Sequence, residues 1–191
     1  LEVMAENQVT VGNKTHRMDP FFFVIATQNP VDIEGTYPLP LAQVDRFMMR
    51  LALGYPDTDA EYAIVSGDPS RTIMPGIKPV CGKKDIQALR ERVPGVFCDK
   101  KLIRAVSALG AGTRDHSGIQ LGVSPRGSLM LLQAARALAL VRQRDYVVDQ
   151  DIIDLAPLVL AHRLKLKEQG LDGEKLIREA TLGVLEDLDY T

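Results

Sequence analysis

Residues 20–47 read PFFFVIATQNPVDIEGTYPLPLAQVDRF, and the fold class is predicted from this segment. It opens on an uninterrupted apolar run, residues 21–26, that is rich in aromatic and β-branched side chains. Such a run predicts a strand that is buried on both faces. A short helix over residues 41–47 and a second strand over residues 47–53 are predicted to follow. Strand, helix and strand in this order predict a parallel crossover unit of the α/β class.

The segments on either side of this stretch extend the α/β prediction. Residues 8–11 and 15–18 flank Gly12-Asn13-Lys14 and predict a short hairpin. Thr58 and Glu61 have the spacing of a capping box, which predicts a helix that ends near Gly67.

The rest of the chain is predicted to be helical. Residues 68–82 carry three prolines and two glycines and are predicted to form a linker. The predicted domains are therefore residues 1–70, a linker at 71–82, and a helical domain at 83–191. Predicted helix caps are Asp99, Ser124 followed by Pro125, Asp149 and Asp172. Predicted core faces comprise Leu102, Val106, Leu109, Leu131, Ala134, Ala135, Leu138, Val141, Leu176, Ala180 and Val184.

Three polar side chains are candidates for phosphate chemistry. Asn29 follows the predicted strand at its carboxyl end, where open α/β sheets bind ligands, and its amide can hold a water against a phosphate oxygen. Arg46 and Arg126 each offer a permanently charged planar fork. Arg126 also falls in the first turn of a helix, where a cation is favourable only beside an anion. Taken singly, each also fits a structural role, as a turn asparagine or as a surface arginine.

Three stretches resemble signature stretches of the MoxR branch of AAA+ ATPases, in the same order. They are LEVMAENQVTV at residues 1–11, the stretch at 20–47 quoted above, and GVSPRGSLMLLQAARALALVRQRDYVVDQDI at 122–152. The resemblance covers nearly the whole chain and is weakest over residues 64–96 and after Leu166. Ala5 and Leu41 depart from the pattern, which often has glutamate at these places.

The resemblance implies a fold and a set of roles. The fold would be part of an α/β AAA+ P-loop NTPase core with parallel strands, followed by an all-α lid domain. Asn29 would be sensor 1, which positions the attacking water, and Arg46 would be the arginine finger that acts on the neighbouring subunit's nucleotide. Arg126 would be sensor 2, acting in cis or in trans. The hairpin would be the insertion before sensor 1, directed at the pore or the substrate.

The resemblance also implies cofactors and partners. The cofactors would be ATP and Mg²⁺, and the assembly would be a ring of like subunits, a hexamer. The work would be chaperone-like remodelling or maturation of partner complexes, with a von Willebrand A-type partner.

Two motifs of a complete nucleotide site are absent from the sequence. No G-x-x-x-x-G-K-[ST] motif occurs, and the glycines at 110 and 112 are not followed by lysine and serine or threonine. No predicted strand ends in paired acids that could hold magnesium. In the MoxR branch both motifs would precede Leu1, so the chain reads as a fragment. We therefore predict that it hydrolyses no ATP alone.

Net charge, apolar runs, cysteines and histidines limit the classes of function that the sequence supports. A net charge of −2 gives no general attraction to nucleic acid or to an anionic membrane. No apolar run approaches the roughly 20 residues of a membrane span. Cys81 and Cys98 form no CxxC pair, which favours a reducing cytoplasm. His16, His116 and His162 lack metal-ligand spacing, so no metal ion bound by protein ligands is predicted.

Two alternative functions stay open at this point. One is a non-catalytic interaction module that docks through its helices. The other is a DNA-linked AAA+ motor or loader. A phosphate loop upstream of Leu1 would argue against the first alternative. Salt-dependent binding to DNA would support the second.

Overall fold

The computed structural model describes residues 3–4, 7–19, 21–28, 39–168 and 170–189. Strands in these ranges are β1 (Gln8–Val11), β2 (Lys14–Arg17), β3 (Ile119–Leu121) and β4 (Lys165–Leu166). The first α-helices are α1 (Leu41–Val44), α2 (Thr58–Gly67), α3 (Pro69–Thr72) and α4 (Lys83–Arg92). The later ones are α5 (Lys100–Asp115), α6 (Pro125–Val141), α7 (Asp149–Leu160) and α8 (Gly173–Asp189). Short 3₁₀ turns cover Met74–Gly76, Val93–Gly95 and Ala161–Arg163.

The predicted hairpin is confirmed. Strands β1 and β2 pair antiparallel, with Val11 opposite Lys14. Gly12 lies in the turn with a φ of +60°, a conformation that glycine adopts without steric cost. The second strand begins at Lys14, one residue earlier than predicted, because the turn is tighter than the glycine-containing triplet suggested.

The two strands predicted over residues 21–26 and 47–53 are not formed in the described part of the chain. Both segments run without sheet pairing, and the side chains of Phe23 and Leu53 are 79% and 100% exposed. A parallel strand forms only where neighbouring strands supply hydrogen bonds and cover its faces. The described residues contain no such neighbour, so the predicted parallel crossover is absent from them.

Helix α2 has the predicted bounds but a different cap. The Asp57 carboxylate, not the Thr58 hydroxyl, accepts a hydrogen bond from the backbone N–H of Ala60 at 2.8 Å. The capping-box prediction was therefore wrong by one residue. The predicted linker at 71–82 contains the end of α3 and the turn Met74–Gly76. The domain boundaries stay a prediction.

Helices α5 to α8 enclose the hydrophobic core. Asp99 and Ser124 cap α5 and α6 as predicted, and the Asp172 carboxylate accepts from the N–H of Glu174 at 2.9 Å. The prediction for α7 was wrong, because Val148 is the N-cap and Asp149 is the first helical residue. Fully buried members of the core include Val123, Leu131, Ala135, Ala139, Ala156, Val159, Leu160 and Ile177.

Two predicted core faces need correction. In α6 the predicted Leu131, Ala134 and Ala135 are buried and Leu138 is half-buried, but the stripe continues to Ala139 and the predicted Val141 is 77% exposed. In α8 the most buried residues are Ile177, Thr181 and Leu185, and the predicted positions, each one residue earlier, are only half-buried. The predicted stripe of α8 therefore lies beside the buried stripe, since consecutive helical residues are about 100° apart.

An ion-pair network stabilises the loop that connects α6 and α7. Asp151 is fully buried and accepts hydrogen bonds from Arg142 at 2.9 Å and from Arg144 at 2.6 Å and 2.9 Å. Burial raises the pKa of Asp151, but the hydrogen bonds from Arg144, from the N–H of Val148 and from Arg142 outweigh it and hold this pKa below its usual range. The turn is thus fixed by a paired carboxylate.

The described ranges contain neither a helix suited to span a membrane nor a cluster of metal-ligating side chains. No helix there combines the length and the apolar character needed to cross a membrane. Within the same ranges, no three histidine, cysteine, aspartate or glutamate side chains are grouped so that they could hold a metal ion.

Candidate functional site

Arg46 lies in a turn that continues the short helix α1. The backbone N–H groups of Arg46 and Phe47 donate to the carbonyl oxygens of Gln43 at 3.2 Å and Val44 at 3.0 Å. The Arg46 side chain is half-buried. Among the described residues, none forms a hydrogen bond or ion pair with its guanidinium. Within the part of the chain that the structure describes, the turn therefore presents a guanidinium without a hydrogen-bonded or ion-paired partner.

The neighbouring carboxylate of Asp45 is engaged elsewhere. It accepts hydrogen bonds from the Ser124 hydroxyl at 3.2 Å and 3.3 Å, and from Nε of Arg163 at 3.1 Å. A surface arginine is most simply explained by an adjacent acid that neutralises it. Asp45 does not do so for Arg46, because its oxygens point toward the helical domain.

Arg126 lies at the start of α6. Ser124 caps this helix, accepting a hydrogen bond from the N–H of Gly127 at 3.3 Å, and Pro125 occupies the first helical position. The Arg126 side chain is exposed and, within the described residues, has no hydrogen-bond or ion-pair partner. The cap that Ser124 provides and its contact with Asp45 use the same hydroxyl.

The structure thus joins the segments that carry two of the three predicted site residues. Arg46 directly follows Asp45, Arg126 follows Ser124 by two positions, and Asp45 and Ser124 are hydrogen-bonded. The third, Asn29, lies outside the described residues. The assignment of all three to a nucleotide site stays a prediction.

Arg163 is a residue that the sequence analysis missed. Its side chain is only 1% exposed, although arginine is almost never fully buried unless it is paired. Desolvation by burial lowers its pKa, and the Asp45 carboxylate partly opposes this effect. The signal in the sequence was a lone arginine that follows the apolar run of α7.

His162 is buried beside this arginine. Its Nε2 lies 2.7 Å from Nη1 of Arg163 and 3.3 Å from the carbonyl oxygen of Phe47. Burial, and then the positive charge of Arg163, lower the pKa of His162 to about 4. This histidine is therefore neutral at physiological pH and belongs to the packing around Arg163.

These features favour binding of an anion near the start of α6. Arg46 and Arg126, which have no partner among the described residues, stand on segments that are hydrogen-bonded to each other, and the N-terminus of a 17-residue helix lies beside Arg126. Guanidinium groups and helix N-termini both attract phosphate oxygens. The two arginines are therefore chemically suited to an anionic ligand rather than to a neutral one.

Comparison with known families gives two matches. Residues 1–49 match the model of the ATPase family associated with various cellular activities (AAA), and residues 111–180 match the model of the AAA lid domain. The two matches fall on either side of the segment where the predicted resemblance is weakest.

Similar proteins extend over almost the whole chain. The uncharacterized protein YeaC of Bacillus subtilis is 43% identical over 94% of this chain and 57% of its own length. Chaperone MoxR1 of Mycobacterium tuberculosis is 40% identical over 91% of this chain and 48% of its own length. Protein MoxR of Methylorubrum extorquens is 31% identical over 87% of this chain and 54% of its own length. The chain belongs to the MoxR family of AAA+ ATPases.

A solved structure supports the same fold for this MoxR-family chain. The crystal structure of an inferred ATPase from Cytophaga hutchinsonii superposes with a TM-score of 0.85 at 35% identity. The superposition covers 95% of this chain and 59% of the other. The predicted fold class, part of an AAA+ core followed by a helical lid, is confirmed.

This MoxR-family chain spans about half the length of the curated relatives it matches. The lid match, residues 111–180, covers helices α6 and α7 completely, together with the end of α5 and the first half of α8. The core match ends at Met49, just after the turn that carries Arg46. The contact between Asp45 and Ser124 therefore joins the AAA core segment to the lid.

Proposed function

We propose that this chain is the sensing and trans-acting part of a MoxR-type ATPase. In the whole protein, Arg46 acts as the arginine finger on the nucleotide of the neighbouring subunit. Arg126 acts as sensor 2 at the start of the lid helix α6. Asn29 acts as sensor 1 and positions the attacking water.

One observation carries the proposal: the half-buried Arg46 guanidinium has no partner among the described residues, while the adjacent carboxylate of Asp45 is held by the lid. Leaving a half-buried cation unpaired has a free-energy cost. That cost is offset if a phosphate from another subunit completes the site. An arginine supplied in trans is typically worth roughly 10³ to 10⁵ in rate, because it stabilises charge in the transition state.

The nucleotide itself is ATP with Mg²⁺. These would supply the reactive anhydride and the charge that bridges its phosphates. Arg46, Arg126 and Asn29 are the residues of this chain that would face them. Without a phosphate loop the chain alone is expected to hydrolyse no ATP.

A finger that acts in trans requires subunits that contact one another head to tail, so the proposal includes a closed ring, a hexamer. The work is chaperone-like remodelling of partner complexes in the cytoplasm, with a von Willebrand A-type protein as a partner. The relative MoxR1, which is named a chaperone, supports the chaperone-like work in this proposal.

The test uses full-length subunits and the substitution Arg46→Ala. We expect ATP turnover of the pure variant to fall by roughly 10³-fold or more, while binding of a fluorescent ATP analogue is retained. In mixed assemblies, variant subunits should lower turnover in proportion to the neighbours they contact. The matched control is Arg71→Ala, because Arg71 is a highly exposed arginine whose ion pair with Asp68 is weak. Unchanged turnover with Arg46→Ala would show that the finger assignment is wrong.

A further inference from the structure

Arg163 contacts the turn that carries Arg46 at several points. Its Nη2 donates to the carbonyl oxygen of Phe47 at 2.5 Å and to that of Asp45 at 3.3 Å. Its Nη1 lies 3.4 Å from the carbonyl oxygen of Met48, and its Nε donates to the Asp45 carboxylate at 3.1 Å. A single guanidinium therefore holds the backbone on both sides of Arg46.

The same guanidinium is fixed to the lid. Its Nη1 also donates to the carbonyl oxygen of Val159 in α7, and its Nη2 lies 2.8 Å from the sulfur of Met130 in α6. Its aliphatic stem passes under the first turn of α6, where a Cβ on Gly127 would lie 3.0 Å from Cδ of Arg163. Glycine at position 127 is thus what allows the side chain to reach the turn.

A second link runs through Ser124. Its hydroxyl caps α6 and contacts the carboxylate of Asp45, which Arg163 also holds. Arg126 is in the turn of α6 that this cap stabilises. The segment that presents Arg46 and the helix that presents Arg126 therefore share one partly buried hydrogen-bonded cluster.

We propose that Arg163 is a positioning residue that locks the Arg46 turn to the lid of the same subunit, so that Arg46 and Arg126 move together. The inference rests on the proposed role of Arg46. It also predicts which site each lid affects. When the lid of one subunit rotates, it would move Arg46 of the same subunit and so change the nucleotide site of the neighbouring subunit. Asp45 and Ser124 are the other two members of the lock.

Lysine is not an adequate substitute at this position. The planar guanidinium donates in several fixed directions at once, whereas an ammonium group is a point charge with three donors on a flexible stem. An Arg163→Lys chain keeps the charge and can still reach Asp45. It cannot hold the carbonyl oxygens of residues 45, 47 and 48 at the same time. Displacements of about 1 Å in a catalytic group can cost roughly 10²-fold in rate.

The experiment is a double-mutant cycle on full-length protein. The variants are Arg163→Lys, Arg46→Ala and the two combined, with kcat and nucleotide affinity measured for each. We expect Arg163→Lys to lower kcat by roughly 10- to 100-fold while nucleotide affinity is unchanged. The combined variant should be no slower than Arg46→Ala alone, because residues that act as a unit are not additive.

The matched control is Arg144→Lys, which disturbs another arginine–aspartate pair of the lid, the one with buried Asp151. Its effect on stability should be comparable, but any loss of kcat should multiply with that of Arg46→Ala. An Arg163→Lys protein that keeps full kcat would overturn the proposal. A loss that multiplies with that of Arg46→Ala would overturn it as well.

Two other results would also decide between the proposal and its alternatives. If Arg163→Lys does not fold, Asp45→Asn replaces it in the cycle, because the amide keeps the shape of the carboxylate but removes its charge and replaces one acceptor oxygen with an NH2 donor. Its loss of kcat should again vanish in the Arg46→Ala background, and an additive loss would overturn the lock. If Arg46→Ala itself turns over ATP normally, the finger assignment fails first and the positioning role fails with it.

Discussion

Acid is expected to destabilise the lid through His162. This side chain is 9% exposed, and burial together with the Arg163 charge lowers its pKa to about 4. In the unfolded chain its pKa returns to about 6.5. Between these two values the unfolded chain binds a proton that the folded chain does not. The free energy of unfolding therefore falls as the pH decreases through this range, and it is unaffected by His162 above it.

The magnitude follows from the two pKa values. A gap of about 2.5 corresponds to about 3 kcal/mol in full, since one pKa unit is worth about 1.4 kcal/mol. Near pH 5 about 2 kcal/mol of this would already be lost. Asp151 has a pKa held below its usual range, so its contribution is lost only at still lower pH. The window between pH 7 and pH 5 therefore isolates the histidine.

The assay is urea unfolding near pH 7 and near pH 5, followed by circular dichroism of the helices. The variant is His162→Gln, in which the amide oxygen can still accept from Arg163 but cannot take up a proton. We expect the unmodified chain to lose about 2 kcal/mol more than the variant between the two conditions. Equal losses in both proteins would refute the reasoning.

Two other expectations concern packing and thiol access. Gly127→Ala places a Cβ 2.7 Å from the buried side chain of Val123, so we expect a net loss of about 1 kcal/mol, whereas Gly112→Ala, with open space around it, should stabilise by up to about 1 kcal/mol. Thermal denaturation of both variants checks the sign, and stabilisation by Gly127→Ala would contradict the model of the packing. Cys81 is exposed, whereas Cys98 is buried and burial raises the pKa of its thiol, so a thiol reagent should label Cys81 much faster in the folded protein and both equally in urea. Mass spectrometry of the labelled peptides distinguishes the two sites, and equal rates in the folded protein would contradict this expectation.

The sequence was most informative where local chemistry decides structure. Caps at Asp99, Ser124 and Asp172 were predictable because a short polar side chain satisfies backbone N–H groups within its own turn. The hairpin at β1 and β2 was predictable for a similar reason, since Gly12 supplies the positive φ of the turn.

Prediction failed where the outcome depends on distant partners. The apolar run at 21–26 has strand-like composition, but composition cannot supply the neighbouring strands that a parallel sheet needs. Thr58 and Asp57 are both good caps, and only the backbone conformation of the structure decides between them.

The candidate site shows the same limit. Arg46 and Arg126 could be named from motifs, but the sequence could not show which side chains bind the carboxylate of Asp45. The contact of Asp45 with Arg163 joins residues 118 positions apart in the chain. The sequence shows a lone arginine after the apolar helix α7, but it does not show that this arginine pairs with Asp45.

The uneven distribution of buried side chains has a kinetic consequence. Helices α5 to α8 bring their own core, and topologies rich in helices fold within microseconds to milliseconds. Residues 47–80 contribute little to that core and leave Leu53 and Val80 almost fully exposed. During synthesis the lid would therefore become ordered without waiting for this upstream segment, and the contacts of Asp45 would then form against a surface that already exists.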